Sequence, residues 1–262
     1  MFTRFSPANP VTEGPDGRPL REGRYLSAAR LDAGLVLCLD GIGGYNWLPR
    51  LLRRGLDQGG VPHAIVIYNW SIGPLGLWVT DLVARRRNRK RARELAEVIA
   101  TYRARRPDRP VVLIGHSGGG GLAAWVLEAL PAGCQVDRAI LLAPALAPHY
   151  NLSRALRGVR ENLYVGYSWA DFGLMGLGTS LFGSIDRHHG PCAGLVGFRL
   201  TGDLEPAERA AYARVRQIGW GRRLMRYGHF GDHTGWTNTR FAREFLAPVV
   251  LGKSDPGDVP RE

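Results

Sequence analysis

Five times along this sequence a run of four to six largely apolar residues stands unbroken and then stops: Gly34-Leu35-Val36-Leu37-Cys38-Leu39, Ala64-Ile65-Val66-Ile67-Tyr68, Val111-Val112-Leu113-Ile114, Ala139-Ile140-Leu141-Leu142 and Leu163-Tyr164-Val165-Gly166. A strand with one face in water alternates apolar and polar residues, so unbroken runs of this length read as strands buried on both faces. Between them apolar residues recur at helical spacing: Trp47, Leu48, Leu51, Leu52 and Leu56, then Leu95, Val98, Ile99 and Tyr102, then Leu122, Trp125, Val126 and Leu130. Two further helices are expected over residues 206–217, opened by a proline in the first turn, and over residues 239–246. Between these two, Leu224-Met225-Arg226-Tyr227 is the expected last strand. Strands alternating with helices specify βαβ crossovers, hence an α/β architecture with a parallel sheet covered on both faces.

With 262 residues, 45% hydrophobic and 22% charged, the chain can bury one large core, and disordered or disulfide-scaffold classes are excluded. No internal repeat or linker divides it, so residues 1–262 are expected to form a single domain, with about 1–23 and 250–262 as loose tails. The net charge is +12, yet only Lys90 and Lys253 are lysines and 33 arginines are spread along the whole chain. This reads as a preference for arginine, without the interleaved aromatic and basic residues of a specific nucleic-acid module. The densest run, residues 85–93, would put charge on every face of a helix and reads as a solvated helix start. Cys38, Cys134 and Cys192 are odd in number and far apart, which argues against a disulfide framework and suits a reduced, cytoplasmic compartment. Residues 1–19 lack an apolar signal core. Residues 172–185 are too short and too broken by glycine to span a bilayer, so no transmembrane segment is expected.

The apolar run at Val111 leads straight into Gly115-His116-Ser117-Gly118-Gly119, and a helical pattern follows at once. A G-x-S-x-G between a strand and a helix puts a serine at the tip of a tight turn, where larger side chains at the flanking glycines would collide with neighbouring chain. The turn lifts the hydroxyl above the sheet edge and the helix aims its N-terminus at it. The plainer alternative is a glycine-rich turn whose serine only caps the helix.

In this context the sequence resembles the α/β-hydrolase fold family over roughly residues 34–246, by the order of its elements more than by residue identity outside the motif. The resemblance implies a mostly parallel central sheet with helices on both faces. Residues 144–161 stand where many relatives insert a large cap, and none is expected here. Family members follow their first well-formed strand with a loop, often beginning His-Gly, that supplies an oxyanion-hole amide. Asp40-Gly41-Ile42-Gly43-Gly44 stands there, implying Ile42 and Gly118 as donors, with Asp40 a departure from the pattern. The triad order Ser, acid, His implies Ser117, then Asp171 after the run at residues 163–166, with Asp186 as the alternative acid. The histidine precedes the last helix, which favours His233 over His229. The spacing of that pair would also suit a metal on a helix, but Gly228, Gly231 and Gly235 oppose a helix there. His188-His189 lacks cysteine or carboxylate partners, and His63 and His149 have no supporting context.

The implied activity is serine hydrolysis of a small carboxylic ester or related acyl compound, without cofactor or metal. An acyltransferase would use the same residues. A non-catalytic relative that keeps the fold for binding, and a basic protein that associates with acidic surfaces, are the readings from other classes. Glycine-rich apolar material over residues 172–205, with Trp70, Leu75, Leu77, Trp78 and Trp169, either builds an apolar acyl pocket or completes the core. Oligomeric state is not legible.

Overall fold

The computed structural model describes residues 23–42, 47–71, 81, 84–171, 184–200 and 204–257. Six parallel strands form one sheet: β1 (Leu35–Leu39), β2 (Ala64–Tyr68), β3 (Val111–His116), β4 (Arg138–Leu142), β5 (Leu163–Tyr167) and β6 (Val215–Gly219), in the order β2-β1-β3-β4-β5-β6. The first five coincide with the unbroken runs. On one face Leu35, Leu37, Leu39, Val111, Leu113, Leu141 and Val165 meet α3 (Arg85–Arg105) and α4 (Gly118–Ala129). On the other, Val36, Cys38, Val112, Ile114, Ile140 and Tyr164 meet α2 (Trp47–Gln58) and the C-terminal helical segment. Successive residues feed opposite layers, which is why neither parity tolerates a polar side chain. A short helix α1 (Ala28–Ala33) precedes β1.

Two expectations near the C-terminus are corrected. Residues 222–227 form a 3₁₀ turn, and the last strand is β6, which begins within the stretch read as helix from 206 to 217 and runs two residues past it; the helix stops at Ala211. In β6 only Val215 and Ile218 are buried, and their spacing of three imitates a helix. The polar residues between them are put to use. The Gln217 amide accepts from Phe198 N (2.6 Å) and donates to Phe198 O (3.0 Å), while Arg216 pairs with Asp255 (3.3 Å). Asp255, within the tail expected to be loose from about 250 to 262, also accepts from the Tyr164 hydroxyl (2.9 Å) and so is tied to the sheet. Residues 1–22 and 258–262 lie outside the described residues.

The expected final helix is three consecutive pieces: Thr239–Phe241 in α form, Ala242–Leu246 in π form and Ala247–Val250 in α form again. Pro248 has no N–H for the carbonyl four residues back, and the wider turn lies just ahead of it. Among the described residues Cys38, Cys134 and Cys192 form no disulfide. Burial pushes the Cys38 thiol up to about 12, which leaves it inert at neutral pH. Among the described residues no helix is long and apolar enough to cross a membrane.

Candidate active site

β3 delivers Ser117 at its C-terminal end and α4 begins at the next residue. Ser117 has φ 56° and ψ −123°, a conformation that L-residues rarely adopt and that costs about 1–3 kcal/mol unless the surroundings enforce it. They do. Ser117 N donates to Leu142 O on β4 (2.9 Å), and Ser117 O accepts from Gly120 N (2.9 Å) and Ala145 N (3.1 Å). The motif glycines have a steric cause: a Cβ at Gly115 would lie 2.3 Å from Gly119 O, and one at Gly119 would lie 2.2 Å from Asp40 O. Ser117 makes no side-chain capping bond to α4, so the helix-cap alternative does not describe this hydroxyl.

The loop after β1 passes directly over the serine. A Cβ on Gly41 would stand 3.4 Å from Ser117 Cβ, and one on Gly118 would stand 2.9 Å from Ile42 Cγ2. Asp40, where a histidine was the expected pattern, is buried and accepts from Gly41 N (2.7 Å) through its carboxylate. Its carbonyl accepts from Trp70 Nε1 (2.7 Å), which sets the indole against Gly118. Asp40 thus folds the loop on itself. Gly43 and Gly44 lie outside the described residues, as do Leu75, Leu77, Trp78 and residues 172–183. Trp169 is 67% exposed and meets Trp220 edge to face, so it belongs to the surface.

Asp171 and His233 come together from loops 62 residues apart: His233 Nδ1 donates to Asp171 Oδ2 at 2.5 Å, with both side chains largely buried. A carboxylate can only accept, so the neutral imidazole carries its proton on Nδ1 and leaves Nε2 as the basic nitrogen. The His233 ring lies against that of His116, centroids 4.5 Å apart, beside Ser117 in the chain. His116 Nε2 donates to His233 O (3.0 Å), fixing the backbone of that loop. Burial holds His116 neutral, its pKa pushed down to about 3.

Sequence reasoning missed both His116 and Ser168. Ser168 is buried; its hydroxyl donates to Gly231 O (2.7 Å) and its carbonyl accepts from Asp171 N (3.1 Å), so it joins the turn bearing Asp171 to the loop bearing His233. Its only signal was its place directly after a strand. Ser168→Ala removes that link and is expected to lower stability by about 1–3 kcal/mol in urea unfolding. Turnover should fall by up to about a hundredfold through misplacement of the two groups.

The alternatives sit elsewhere. His229 is buried within 4.2 Å of Trp236 and 5.3 Å of Phe241 (ring centroids), and its Nδ1 accepts from Gly231 N (3.2 Å). Asp186 accepts from the Ser184 hydroxyl of its own turn and from Ala147 N (3.2 Å) on the segment after β4. Among the described residues no group of three or more histidine, cysteine or carboxylate side chains could hold a metal ion.

Burial also lowers His229, to about 4. An unfolded histidine binds its proton near 6.5, so below that pH the unfolded chain takes up protons that His229 and His116 refuse until about pH 4 and 3. Stability is therefore complete above pH 6.5 and declines as the pH falls from 6.5 towards 4, by roughly 3 kcal/mol or more in total. Urea midpoints at pH 7 and 4.5 measure the loss, and His229→Gln, which cannot titrate, should flatten the slope.

Residues 87–172, which include Ser117 and Asp171 but stop short of His233, match the family model described as serine aminopeptidase, S33. No curated protein matches the chain. Among solved structures, a dienelactone hydrolase-like promiscuous phosphotriesterase from metagenomic libraries is similar at 14% identity, covering 87% of this chain and 89% of its own, with TM-score 0.51. An aryl esterase of Burkholderia cenocepacia, so described provisionally, aligns at 13% identity over 86% of this chain and 93% of its own, with TM-score 0.49.

Proposed function

We propose that this chain, which has the α/β-hydrolase fold, is a serine hydrolase acting on a carboxylic ester or related acyl compound. The observation that carries the reading is the Asp171–His233 hydrogen bond, made by a histidine whose ring rests on the neighbour of Ser117. In the reaction, Ser117 Oγ attacks the acyl carbon while His233 Nε2 takes the hydroxyl proton. The carbonyl electrons move onto oxygen, which the Ile42 and Gly118 amides hold at the N-terminal end of α4. Collapse breaks the bond to the leaving group, which departs with the proton from Nε2, and the acyl group remains on Ser117. Water then enters, loses a proton to His233 and releases the acid by the same steps. An alcohol in place of water would make the enzyme an acyltransferase. Asp171 keeps the imidazole in the tautomer that presents Nε2 and stabilises the imidazolium as it forms.

A fluorophosphonate tests this, because only a hydroxyl served by a nearby base reacts readily with it. One label per chain is expected, on the peptide containing Ser117, with hydrolysis of short-chain 4-nitrophenyl esters unaffected by chelators. No label, or a label on another residue, refutes the reading. Activity lost to a chelator and restored by zinc would replace it with a metal mechanism.

A further inference from the structure

The arginine run that read as a solvated helix start has a second face. Arg85, Arg86 and Arg87 make up the first turn of α3, which contains no acidic residue and has no side-chain cap. Like charges one turn apart, and positive charge at a helix N-terminus, both oppose the helix that carries them. Around them are two adjoining grooves. One, of about 670 Å³, is lined by Ala84, Arg85, Arg86, Arg87 and Arg187; the other, of about 560 Å³, has Arg85, Arg86, Arg89, Arg93 and Arg154 around Glu128. Glu128 is already taken by Arg89 and the Tyr150 hydroxyl, and Arg87 pairs with Asp81 (2.8 Å). Arg85, Arg86, Arg93, Arg154 and Arg187 have no carboxylate partner among the described residues.

Both walls of the larger groove are anchored to the nucleophile turn. The Arg87 guanidinium lies 6.0 Å over the Trp70 ring, which packs on Gly118. Arg187, at φ 70°, projects from a turn closed by Ser184 N to His188 O (2.8 Å) and Arg187 N to Ser184 O (2.9 Å). That turn is fastened by Ile185 N to Ala145 O (3.2 Å), and Ala145 N donates to Ser117 O. The unpaired guanidiniums of Arg85, Arg86 and Arg187, with forked donors suited to phosphate oxygens, therefore line one groove from two separate segments, each linked through its neighbours to the serine turn.

We propose that this groove binds the phosphate group of an anionic substrate, an acyl ester or thioester whose remainder carries a phosphate. The proposal rests on the hydrolase reading for its chemistry but not for its binding. The test compares S-butyryl-pantetheine with S-butyryl-4′-phosphopantetheine, and measures pyrophosphate binding by titration calorimetry. The native chain is expected to favour the phosphorylated thioester at least tenfold in kcat/KM, mostly through KM, with the preference shrinking between 50 and 500 mM NaCl. Arg86→Glu/Arg187→Glu should cut that ratio at least tenfold and abolish pyrophosphate binding, with circular dichroism confirming the fold. Arg50→Glu/Arg54→Glu, an equal charge change on α2, should leave the ratio alone. If the phosphate instead belongs to a lipid headgroup, the soluble pair is not distinguished but phosphatidylglycerol vesicles, unlike phosphatidylcholine ones, retain the native chain and lose the double variant. Equal kinetics together with no binding to pyrophosphate or anionic vesicles overturns the proposal. If neither the thioesters nor 4-nitrophenyl esters are cleaved, the hydrolase reading falls while the binding measurements still decide the groove.

Discussion

Ser117→Ala is expected to lower kcat for a 4-nitrophenyl ester by about five to six orders of magnitude, with the thermal midpoint nearly unchanged. The magnitude follows from the unit character of a nucleophile and its base: without the hydroxyl there is no acyl-enzyme, and what remains is the oxyanion site acting on water. The stability expectation has a separate cause. The strained turn is enforced by backbone hydrogen bonds to Leu142, Gly120 and Ala145, and the Ser117 hydroxyl does not cap α4, so its removal breaks no link in the fold. Activity near the native level in the alanine variant would place the nucleophile elsewhere; a large fall in the melting temperature would mean that the hydroxyl has a structural role.

The second large effect separates the two histidines by which property each one loses. His233→Ala removes the group hydrogen-bonded to Asp171 and should lower kcat by about four to six orders of magnitude. His229→Ala leaves that pair alone but opens a cavity under Trp236 and Phe241, at about 2–4 kcal/mol of stability, with turnover kept within about a hundredfold while the chain is folded. Urea unfolding and ester kinetics on both variants make the comparison. If His229→Ala is the inactive one and His233→Ala turns over normally, the base moves to His229 and the reading of Ser117 stands.

What was legible depended on how local each cause is. The serine turn could be read because its constraint lies close at hand: Gly115 and Gly119 are four residues apart and touch each other. Asp171 and His233 were candidates because of family order, and Asp186 and His229 could not be dismissed by spacing. Their exclusion from the pair needed packing, since one carboxylate is spent on Ser184 and the Ala147 amide and one imidazole sits among rings. The arginines of α3 show the same limit. Periodicity called them solvated, and no pattern within one helix could have revealed that Arg187, about a hundred residues later, faces the same groove.

By itself, then, the sequence determined the α/β class, the first five strands and the serine turn, because burial on both faces and close backbone contact impose patterns within a few residues. Only the tertiary structure decided that residues 215–219 form the sixth strand, which acid meets which histidine, and that Ser168 and His116 hold the two loops in place. β6 has one neighbouring strand and is only partly buried, so it can be half polar and take its partners from distant loops. A hydrogen bond between two loops depends on how the whole sheet brings their ends together, and that geometry is written in no single stretch of chain.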